Sequence, residues 1–386
     1  MAMQISSGFD SGAIEVIACE GARADLAIRH DIAADGRLSE FLQWFHFRVS
    51  GAEATGAELR IVNAGATTYP NGWRDYRAVA SWDHRRSWDR NTWERIPTRY
   101  DGQILTIDVP PAPGPTYIAY FEPYSWERHL ALLADCISSG ARLQRLGTSI
   151  QGRDVDAVVV GDGERPVWII ARQHPGETMA EWFVEGLLQR LLGNDEELTN
   201  ELRRVATFYI IPNMNPDGSV LGNLRTNAAG ANLNREWLAP SREASPEVEC
   251  VRAAMYATGC EAFFDIHGDE NLPYVFVAGC EMLPNFTARQ AAEQDAFSAD
   301  FRAASPDFQS KHGYHASKYK DDVLKLASKY AGHTFGCLSL TLEMPFKDNA
   351  NAPDARFGWS GGRSARLGAA ILEPIHHHLL RTGSSA

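Results

Sequence analysis

The chain has 386 residues, of which 44% are hydrophobic and 22% charged, so it is long enough for two domains with a substantial apolar core. Its formal net charge of -12 argues against a nucleic-acid partner, because phosphate-binding surfaces need clustered lysine and arginine. The sequence has no run of eighteen apolar residues and no basic leader or apolar signal segment, which predicts a cytoplasmic protein without a membrane partner.

The cysteines are spread singly along the chain, without a C-x-x-C pair. They are Cys19, Cys136, Cys250, Cys260, Cys280 and Cys337. This spacing favours reduced thiols over disulfides or a thiolate zinc cluster. A metal site in this chain would therefore use histidine and carboxylate ligands.

The first 122 residues have the pattern of an all-β domain. Short segments rich in aromatic and β-branched residues are separated by glycine, proline and aspartate turns, as in a β-sandwich. The predicted strands lie at 41–49, 57–63, 104–109 and 117–121. The proline-rich stretch 110–115 follows the third of them, and we place the end of the domain near residue 122.

Residues 71–100 combine tryptophans with seven arginines. The tryptophans are Trp73, Trp82, Trp88 and Trp93. Because Arg and Trp are favoured at recognition surfaces, the segment could form a docking face for a peptide or a partner subunit. The other interpretation, which we favour, packs the tryptophans between the two domains and pairs the arginines with nearby aspartates.

Residues 123–386 alternate between strands and helices. Apolar strands are predicted at 156–161, 167–172, 207–212, 262–266, 274–278 and 337–342. Nearly continuous apolar strands with helical connections indicate an α/β domain, here with a mixed central sheet covered by helices on both faces.

One helix of this domain is well defined by its periodicity. Beginning near Glu177, apolar residues recur at helical spacing, namely Met179, Phe183, Val184, Leu187, Leu188 and Leu191. The histidine run 376–378 near the C-terminus is expected on the surface of another helix.

Two histidines follow predicted strands of this sheet. His174 comes after strand 167–172 with Glu177 beside it at the start of the helix, and His267 ends strand 262–266 with Glu270 nearby. Ligands in open α/β sheets gather at the carboxyl ends of strands. Two histidines and one carboxylate form a catalytic zinc site with one open position. We therefore predict that His174, Glu177 and His267 bind one Zn²⁺, with Glu270 outside the ligand set.

Six short motifs then carry a resemblance to a known family. They are "HPGE" (174–177), "NPDG" (215–218), "GNLRTN" (222–227), "NLNREW" (232–237), "DIHG" (265–268) and "TLEM" (341–344). In this order they are similar to the zinc metallocarboxypeptidases of the carboxypeptidase A type. The preceding sandwich, with "PYSWERH" (123–129), resembles the cytosolic carboxypeptidase branch in particular.

The resemblance implies a role for each matching residue. His174, Glu177 and His267 would bind zinc, and Glu343 would be the general base and acid. Further matches concern the substrate: Arg225 would polarise the scissile carbonyl, while Asn234 and Arg235 would receive the terminal carboxylate. These roles suit the residues, since zinc acidifies water, a carboxylate carries its proton, and guanidinium groups bind oxyanions and carboxylates.

Two features depart from the family pattern or leave it open. The family commonly has Asp two residues before the Asn-Arg pair, as a partner for a zinc histidine, whereas this chain has Asn232. An amide oxygen can accept the same hydrogen bond without adding charge. The tyrosine that closes over the substrate is best matched by Tyr319, with Tyr314 and Tyr330 as rivals.

The predicted function is removal of C-terminal residues from peptides or proteins. The cytosolic branch is associated with acidic tail residues, which would require a basic pocket from Lys318, Lys320 or Lys347. One alternative is a zinc-dependent deacylase or amidase of small N-acyl amino acids, and another is a non-catalytic peptide-binding module. The sequence leaves the preferred terminal residue open, and a homo-oligomer as well.

Overall fold

The fold begins with two five-stranded sheets that share one core. The structure is a computed structural model, and it describes residues 2–52, 54–82, 92–193, 196–315, 318 and 323–383. The first sheet has the order β1-β4-β10-β6-β7 and the second β2-β3-β5-β9-β8. Buried side chains of both sheets, such as Phe47 and Ile107, belong to the same apolar cluster. We call this unit the front sandwich.

The strands of the front sandwich are short. They are β1 (Gln4–Ser6), β2 (Glu15–Glu20), β3 (Arg23–Ala27), β4 (His46–Ser50), β5 (Ala57–Ile61), β6 (Val79–Ser81), β7 (Glu94–Arg95), β8 (Thr98–Tyr100), β9 (Leu105–Val109) and β10 (Thr116–Ala119). Alternation is clear in β9, where Leu105, Ile107 and Val109 are buried and the residues between them are half-buried. The strand predicted at 41–49 is shorter than expected, because regular pairing begins at His46.

A seven-stranded mixed sheet forms the centre of the second part, in the order β11-β12-β14-β13-β15-β17-β16. Its strands are β11 (Arg142–Thr148), β12 (Asp154–Val160), β13 (Arg165–Ala171), β14 (Ala206–Ile211), β15 (Ala262–Asp269), β16 (Phe276–Ala278) and β17 (Leu338–Pro345). The four central strands, β14, β13, β15 and β17, are parallel, and the outer pairs are antiparallel.

Helices cover both faces of this sheet. They are α1 (Trp126–Ser138), α2 (Met179–Leu191), α3 (Glu197–Val205), α4 (Pro216–Leu221), α5 (Pro246–Thr258), α6 (Ala288–Ala304), α7 (Ala327–Phe335), α8 (Gly361–Ala370) and α9 (Leu372–Gly383). On β13, Val167 and Ile169 pack into the core that includes α2, while Trp168 and Ile170 pack into the core that includes α5 and α7. A parallel strand buried on both faces explains why this segment is continuously apolar.

The predicted fold class is therefore confirmed, including the mixed sheet and the sandwich before it. The helix predicted from Glu177 begins at Met179, and all six apolar residues of its repeat are buried. The boundary near residue 122 stays a prediction. Among the described residues, none of the helices combines the length and apolar character needed to span a membrane.

The aromatic segment 71–100 packs inward where the structure describes it. Trp73 and Trp93 are buried, and Trp82 packs against the core, whereas Trp88 lies outside the described residues. The buried Arg95 donates hydrogen bonds to the carbonyl oxygens of Phe346 (2.7 Å) and Trp359 (3.0 Å), both in the second part of the chain. The described part of this segment therefore packs against the rest of the molecule. Its arginine Arg95 bonds to backbone carbonyl oxygens.

The histidine run on α9 differs from its prediction, because His378 is buried. Neither of its ring nitrogens has a hydrogen-bond partner among the described residues. Burial, together with Arg165, Arg381 and Arg289, lowers its pKa to about 4. His378 is therefore neutral in the folded protein at neutral pH.

This burial predicts a loss of stability in acid. The folded pKa of His378 lies below its unfolded value, so its contribution is intact above about pH 6.5 and falls as the pH drops toward 4. We expect the free energy of unfolding, measured with urea, to fall less between pH 7.5 and pH 4.5 in His378→Leu than in wild type. The difference between the two decreases should be about 2–3 kcal/mol. The exposed neighbour His377→Leu is the control. Equal pH dependence in wild type and His378→Leu would contradict the prediction.

Candidate active site

The candidate site lies where three parallel strands end. β13 precedes His174, β15 carries His267, and β17 carries Glu343. In the pairing of β15 with β17, His267 and Glu343 are direct partners across the two strands. The parallel arrangement therefore brings residues that are far apart in sequence to one edge of the sheet.

The turn after β13 is held by a buried arginine. Arg172 has φ 57°, in the left-handed region that side chains other than glycine rarely adopt. Its guanidinium donates to the carbonyl oxygens of Pro175 (3.0 Å) and Tyr124 (2.8 Å) and to the carboxylate of Glu181 (2.6 Å). These bonds stabilise the sharp corner that directs His174 and Glu177 into the cleft.

His174, Glu177 and His267 form the cluster of potential metal ligands in the described part of the chain, with ligand atoms within 4.8 Å of one another. His174 Nδ1 lies 2.7 Å from Glu177 Oε1, and His267 Nδ1 lies 2.7 Å from Glu177 Oε2. The two Nδ1 atoms are 3.1 Å apart. All three side chains are buried, so their donor atoms face one another away from bulk water.

The opposite nitrogen of each ring has its own partner. His174 Nε2 is 3.1 Å from the amide oxygen of Asn232, and His267 Nε2 is 2.9 Å from Asp265 Oδ2. Gln173 donates to both oxygens of Asp265, at 2.8 and 2.9 Å. These contacts orient both rings with Nδ1 toward the centre of the cluster, as outer partners do in metal sites.

Asp265 is a residue that the sequence reading missed as a functional group. The sequence did contain an indication of this role, because Asp265 stands two residues before His267 and therefore on the same side of the strand. Asn232 occupies the place where the family commonly has aspartate, and it makes the contact with His174 that we expected of an amide. One ring therefore has a charged partner and the other a neutral one.

Two of the donors favour the form that binds metal. Burial and the charge of Arg225 lower the pKa of His174 to about 3, which leaves a neutral imidazole. Burial opposes ionisation of Glu177, but contact with His174 and His267 brings its pKa below the ordinary range. Burial would lower the pKa of His267, yet Asp265 and Glu177 raise it. Nitrogen and carboxylate donors in this number suit a catalytic zinc ion.

Glu343 faces the same cleft from β17. Its Oε1 accepts a hydrogen bond from the Tyr314 hydroxyl at 3.0 Å, and its buried Oε2 has no hydrogen-bond partner among the described residues. Burial raises the pKa of Glu343 to about 8; His267 opposes this shift, while Glu177 and Asp269 add to it. One carboxylate oxygen is thus held in place and the other is available to a ligand.

The cleft has a volume of about 640 Å³, and it is lined by Arg225, Asn234 and Arg235. Arg225 Nη1 is 3.7 Å from Glu177 Oε1. Asn234 Oδ1 accepts the backbone N–H of Ala327 at 2.9 Å, and Arg235 Nη1 donates to the carbonyl oxygen of Asn234 at 2.6 Å. Arg225, Asn234 and Arg235 are therefore brought together with the candidate metal ligands.

The three candidate tyrosines are placed differently. Tyr314 lines the cleft and contacts both Glu343 and Asp269, the latter at 2.5 Å. Tyr330 lies elsewhere, with its hydroxyl bonded to Arg252 at 2.6 Å. Tyr319 lies outside the described residues and stays a prediction. Only spacing favoured Tyr319 over Tyr314, and spacing carries no information about the contact that Tyr314 makes with Glu343.

The basic residues also separate into two groups. Lys318 lines the cleft, with Nζ 3.2 Å from the centre of the Tyr314 ring. Lys347 donates to the carbonyl oxygen of Arg74 at 2.9 Å and is not among the cleft-lining residues, while Lys320 lies outside the described residues. Lys329, which the sequence reading did not single out, lines the cleft from α7 and is only 9% exposed.

Glu270 belongs to the cleft but not to the cluster of potential metal ligands. It is 4% exposed, and its Oε1 has no hydrogen-bond partner among the described residues. Burial raises its pKa well above the ordinary value, although Arg225 opposes the shift.

Comparison with known families agrees with this geometry. The family profile described as "Zinc carboxypeptidase" matches residues 126–357. A second profile, described as "Cytosolic carboxypeptidase N-terminal domain", matches residues 5–121. The first match covers the α/β part as far as residue 357, and the second covers the front sandwich.

Individual relatives extend over most of the chain. An uncharacterized protein of Zymomonas mobilis is 44% identical over 373 residues, which cover 96% of this chain and 95% of the relative. Cytosolic carboxypeptidase 6 of Caenorhabditis elegans is 26% identical over 368 residues, covering 87% of this chain and 76% of the relative.

Solved structures show the same similarity. A metallo-carboxypeptidase from Burkholderia cenocepacia is 55% identical with a TM-score of 0.93, covering 98% of this chain and 100% of the other. A metallo-carboxypeptidase from Pseudomonas aeruginosa, in complex with (2-guanidinoethylmercapto)succinic acid, is 45% identical with a TM-score of 0.91, covering 97% of this chain and 100% of the other.

The fold and the matched profiles define a two-part metallopeptidase. The chain belongs to the zinc carboxypeptidase family, and its front sandwich is the N-terminal domain found in cytosolic carboxypeptidases. It is a zinc metallocarboxypeptidase, as the resemblance of the six motifs predicted.

The partner of His267 leads to a prediction about metal affinity. Asp265→Asn should weaken zinc binding by about 10- to 100-fold, because the uncharged amide makes the imidazole a poorer ligand. Competition with a chromogenic chelator measures this affinity. Asp295→Asn, at an exposed position of α6, should bind zinc as wild type does. If Asp265→Asn binds zinc with unchanged affinity, Asp265 does not strengthen zinc binding through His267.

Proposed function

We propose that this chain uses His174, Glu177 and His267 to bind one zinc ion and removes C-terminal residues, preferably acidic ones, from peptides or proteins. The observation that carries the proposal is the presence of Glu343 in the same cleft as these three ligand groups, with an Oε2 that has no hydrogen-bond partner among the described residues. A hydrolytic site needs both a metal and a nearby group that takes a proton.

Glu343 is the proton carrier of this proposal. A zinc ion held by the three ligands would supply Lewis acidity and would lower the pKa of a water molecule in the cleft. The free Oε2 of Glu343 accepts a proton from the attacking water and then gives it to the amine that leaves. Tyr314 keeps the carboxylate in position through its bond to Oε1.

Arg225 suits the stabilisation of charge on the attacked carbonyl. Its guanidinium lies beside the candidate ligand Glu177 and stays protonated throughout the reaction. A fixed positive charge aimed at a developing oxyanion lowers the barrier without rearrangement of the protein.

Arg235 suits the free carboxylate of the substrate, because a planar guanidinium can form two parallel hydrogen bonds with it. Asn234 is more restricted, since its side-chain oxygen already accepts the N–H of Ala327 and leaves the amide nitrogen as the donor. Its Nδ2 lies 3.3 Å from His267 Nε2. Together the two residues explain a preference for chain ends over interior bonds.

Lys329 favours a substrate whose C-terminal residue has an acidic side chain. Lys329 as a whole is only 9% exposed, but its ammonium group remains accessible in the cleft, and among the described residues no hydrogen bond or ion pair to it is seen. A positive charge that faces the cleft would attract the anionic side chain of a substrate. Ala278 and Thr341 line the same region with small side chains, which leave room for a substrate side chain.

The ligand of the Pseudomonas aeruginosa relative is consistent with a carboxylate-binding site. The succinic acid half of that compound has two carboxyl groups, and its other end has a guanidino group. A basic terminal residue is therefore the main competitor to an acidic one. Peptides ending in arginine belong in any test of specificity.

The two other functions have less support in the cleft. A deacylase of small N-acyl amino acids does not need the wide opening or the front-sandwich residues Phe41 and Tyr69, which line the cleft here. A binding module without activity does not need Glu343 beside the ligand cluster. Both features favour hydrolysis at the end of a longer chain.

The remaining assignments complete the proposal. We divide the chain into domains at residues 1–122 and 123–386, which agrees with the two profile matches. A cytoplasmic location agrees with the name of the cytosolic carboxypeptidase relatives. Peptide or protein C-termini are the proposed partners, without nucleic acid or membrane, and a homo-oligomer stays open.

Glu343→Gln tests the catalytic assignment. We expect kcat to fall roughly a hundred- to ten-thousandfold, because glutamine keeps the shape but cannot take the proton. Zinc content, measured by atomic absorption, should stay at one ion per chain. Glu164→Gln, an exposed glutamate, is the matched control. Full activity in Glu343→Gln would remove this residue from the mechanism.

Lys329→Met tests the acidic preference. For peptides ending in glutamate, kcat/KM should fall by about 30- to 100-fold, since a buried charge pair is lost. Peptides ending in leucine should change by less than about threefold, because they make no ion pair. The exposed Lys325→Met, four residues earlier, serves as control. A wild-type enzyme that prefers leucine or arginine ends would contradict the assignment.

A further inference from the structure

Arg225 lies on a loop without regular secondary structure. The loop follows α4, whose last turn ends at Gly222 in the left-handed region, with φ 70°. Backbone N–H groups in such a loop have no helix or strand to bond, so buried ones need acceptors from elsewhere. A guanidinium on an unsupported loop would also be poorly placed for catalysis.

The acceptor is a single carboxylate of the front sandwich. Asp31 Oδ1 accepts the N–H of Leu224 at 2.6 Å, and Oδ2 accepts those of Arg225 (2.7 Å) and Thr226 (2.9 Å). The Thr226 hydroxyl also donates to Oδ2, at 3.2 Å. Four donors therefore converge on one side chain that is 2% exposed. Burial raises the pKa of Asp31, but the four hydrogen bonds favour its ionised form, and hydrogen bonds to an ionised acceptor are stronger than neutral ones.

Neighbouring residues of the front sandwich hold the same loop. The Asn223 side chain accepts the N–H of Ile32 at 2.9 Å and donates to its carbonyl oxygen at 3.0 Å. The N–H of Ala34 donates to the carbonyl oxygen of Ala228 at 2.7 Å. The loop is thus bonded along its length to residues 31–34, with Asp31 opposite Arg225.

The side chain of Arg225 also meets the front sandwich. Its guanidinium carbon lies 5.9 Å from the centre of the Phe41 ring and 5.5 Å from that of Tyr69. Both distances fall in the range of cation–π contacts. The backbone and the charged end of one residue are therefore both placed by a sandwich that contributes none of the candidate metal ligands.

We propose that Asp31 is a positioning residue for hydrolysis, because its carboxylate holds the backbone at 224–226 and thereby directs Arg225 toward the scissile carbonyl. The front sandwich is on this view a structural part of the catalytic site. The inference rests on the proposed function for the role of Arg225, whereas the hold on the loop can be measured without any substrate.

Hydrogen exchange tests the hold on the loop. In Asp31→Asn, the amides of residues 224–226 should exchange at least about tenfold faster than in wild type, since the charged acceptor is lost. Asp35→Asn is the matched control, because Asp35 is an exposed aspartate in the same connection of the front sandwich. Exchange in the control should equal that of wild type. Unchanged exchange in Asp31→Asn would overturn the proposal.

Kinetics test the positioning of Arg225. Asp31→Asn should lower kcat/KM about 10- to 100-fold, mainly through kcat, with zinc content unchanged. In an Arg225→Ala background the same substitution should change kcat/KM by less than about threefold, because its effect passes through the missing guanidinium. An equal loss in both backgrounds would overturn the positioning role.

Further outcomes keep this inference separate from the proposed function. If Asp31→Asn shows no cooperative unfolding, Thr226→Val takes its place as the tested variant, because it removes the hydroxyl bond to Asp31 and the 3.5 Å contact from Asn223 Nδ2 but leaves the three backbone donors. We then expect about threefold faster exchange at 224–226 and coupling to Arg225→Ala of the same sign; absence of both overturns the inference. A wild-type protein that hydrolyses none of the free-ended peptides refutes the proposed function, while the exchange comparison still decides whether Asp31 holds the loop.

Discussion

The cleft depends on the parallel pairing of β13, β15 and β17. Parallel strands end at the same edge of a sheet, so the turn after β13 and the ends of the other two strands meet there. The register is specific, because a shift by one residue would turn each side chain to the opposite face. Ile266 and Leu342, which precede His267 and Glu343 on neighbouring strands, are buried in the core and oppose such a shift. Core packing therefore sets the relative position of a metal ligand and the proposed base.

A second constraint is the number of ionisable groups gathered in a small buried volume. Removing a charge from water is unfavourable unless hydrogen bonds or opposite charges replace the solvent. Here His267 lies between Glu177 and Asp265, and Arg225 lies near Glu177. Two carboxylates, those of Glu270 and Glu343, each keep an oxygen without a partner among the described residues. Such groups are where a metal, water or substrate would be bound, since these supply the missing partners.

Much of the fold and part of the site could be predicted because they follow from local pattern. The apolar repeat from Met179 to Leu191 depends only on helical spacing, and the strand before His174 on continuous apolar residues. The ligand set followed from histidines at strand ends, together with a resemblance carried by six motifs. Asp265 could have been included on the same grounds, since it lies two residues before His267 and therefore on the same face of the strand.

Other residues could not be found in this way because their neighbours are distant in sequence. Tyr314 reaches Glu343 through a segment without regular structure, and Lys329 is directed into the cleft by α7. Asp31 lies nearly two hundred residues before Arg225, between β3 and β4 of the front sandwich, and no periodicity links them. Tyr319 was placed ahead of Tyr314 on spacing alone, and it stays a prediction because it lies outside the described residues.

The loop that carries Arg225 depends on the front sandwich for its order. An irregular loop loses conformational entropy on ordering and gains little from its own hydrogen bonds. The sandwich supplies rigid acceptors instead, and it approaches so closely that a Cβ atom at Gly222 would lie 2.7 Å from the carbonyl oxygen of Ser11. Glycine is therefore required there both for its positive φ and for space. Because the N–H groups of residues 224–226 bond to Asp31 of the front sandwich, the order of this part of the loop, and with it the direction of Arg225, depends on the interface between the two units.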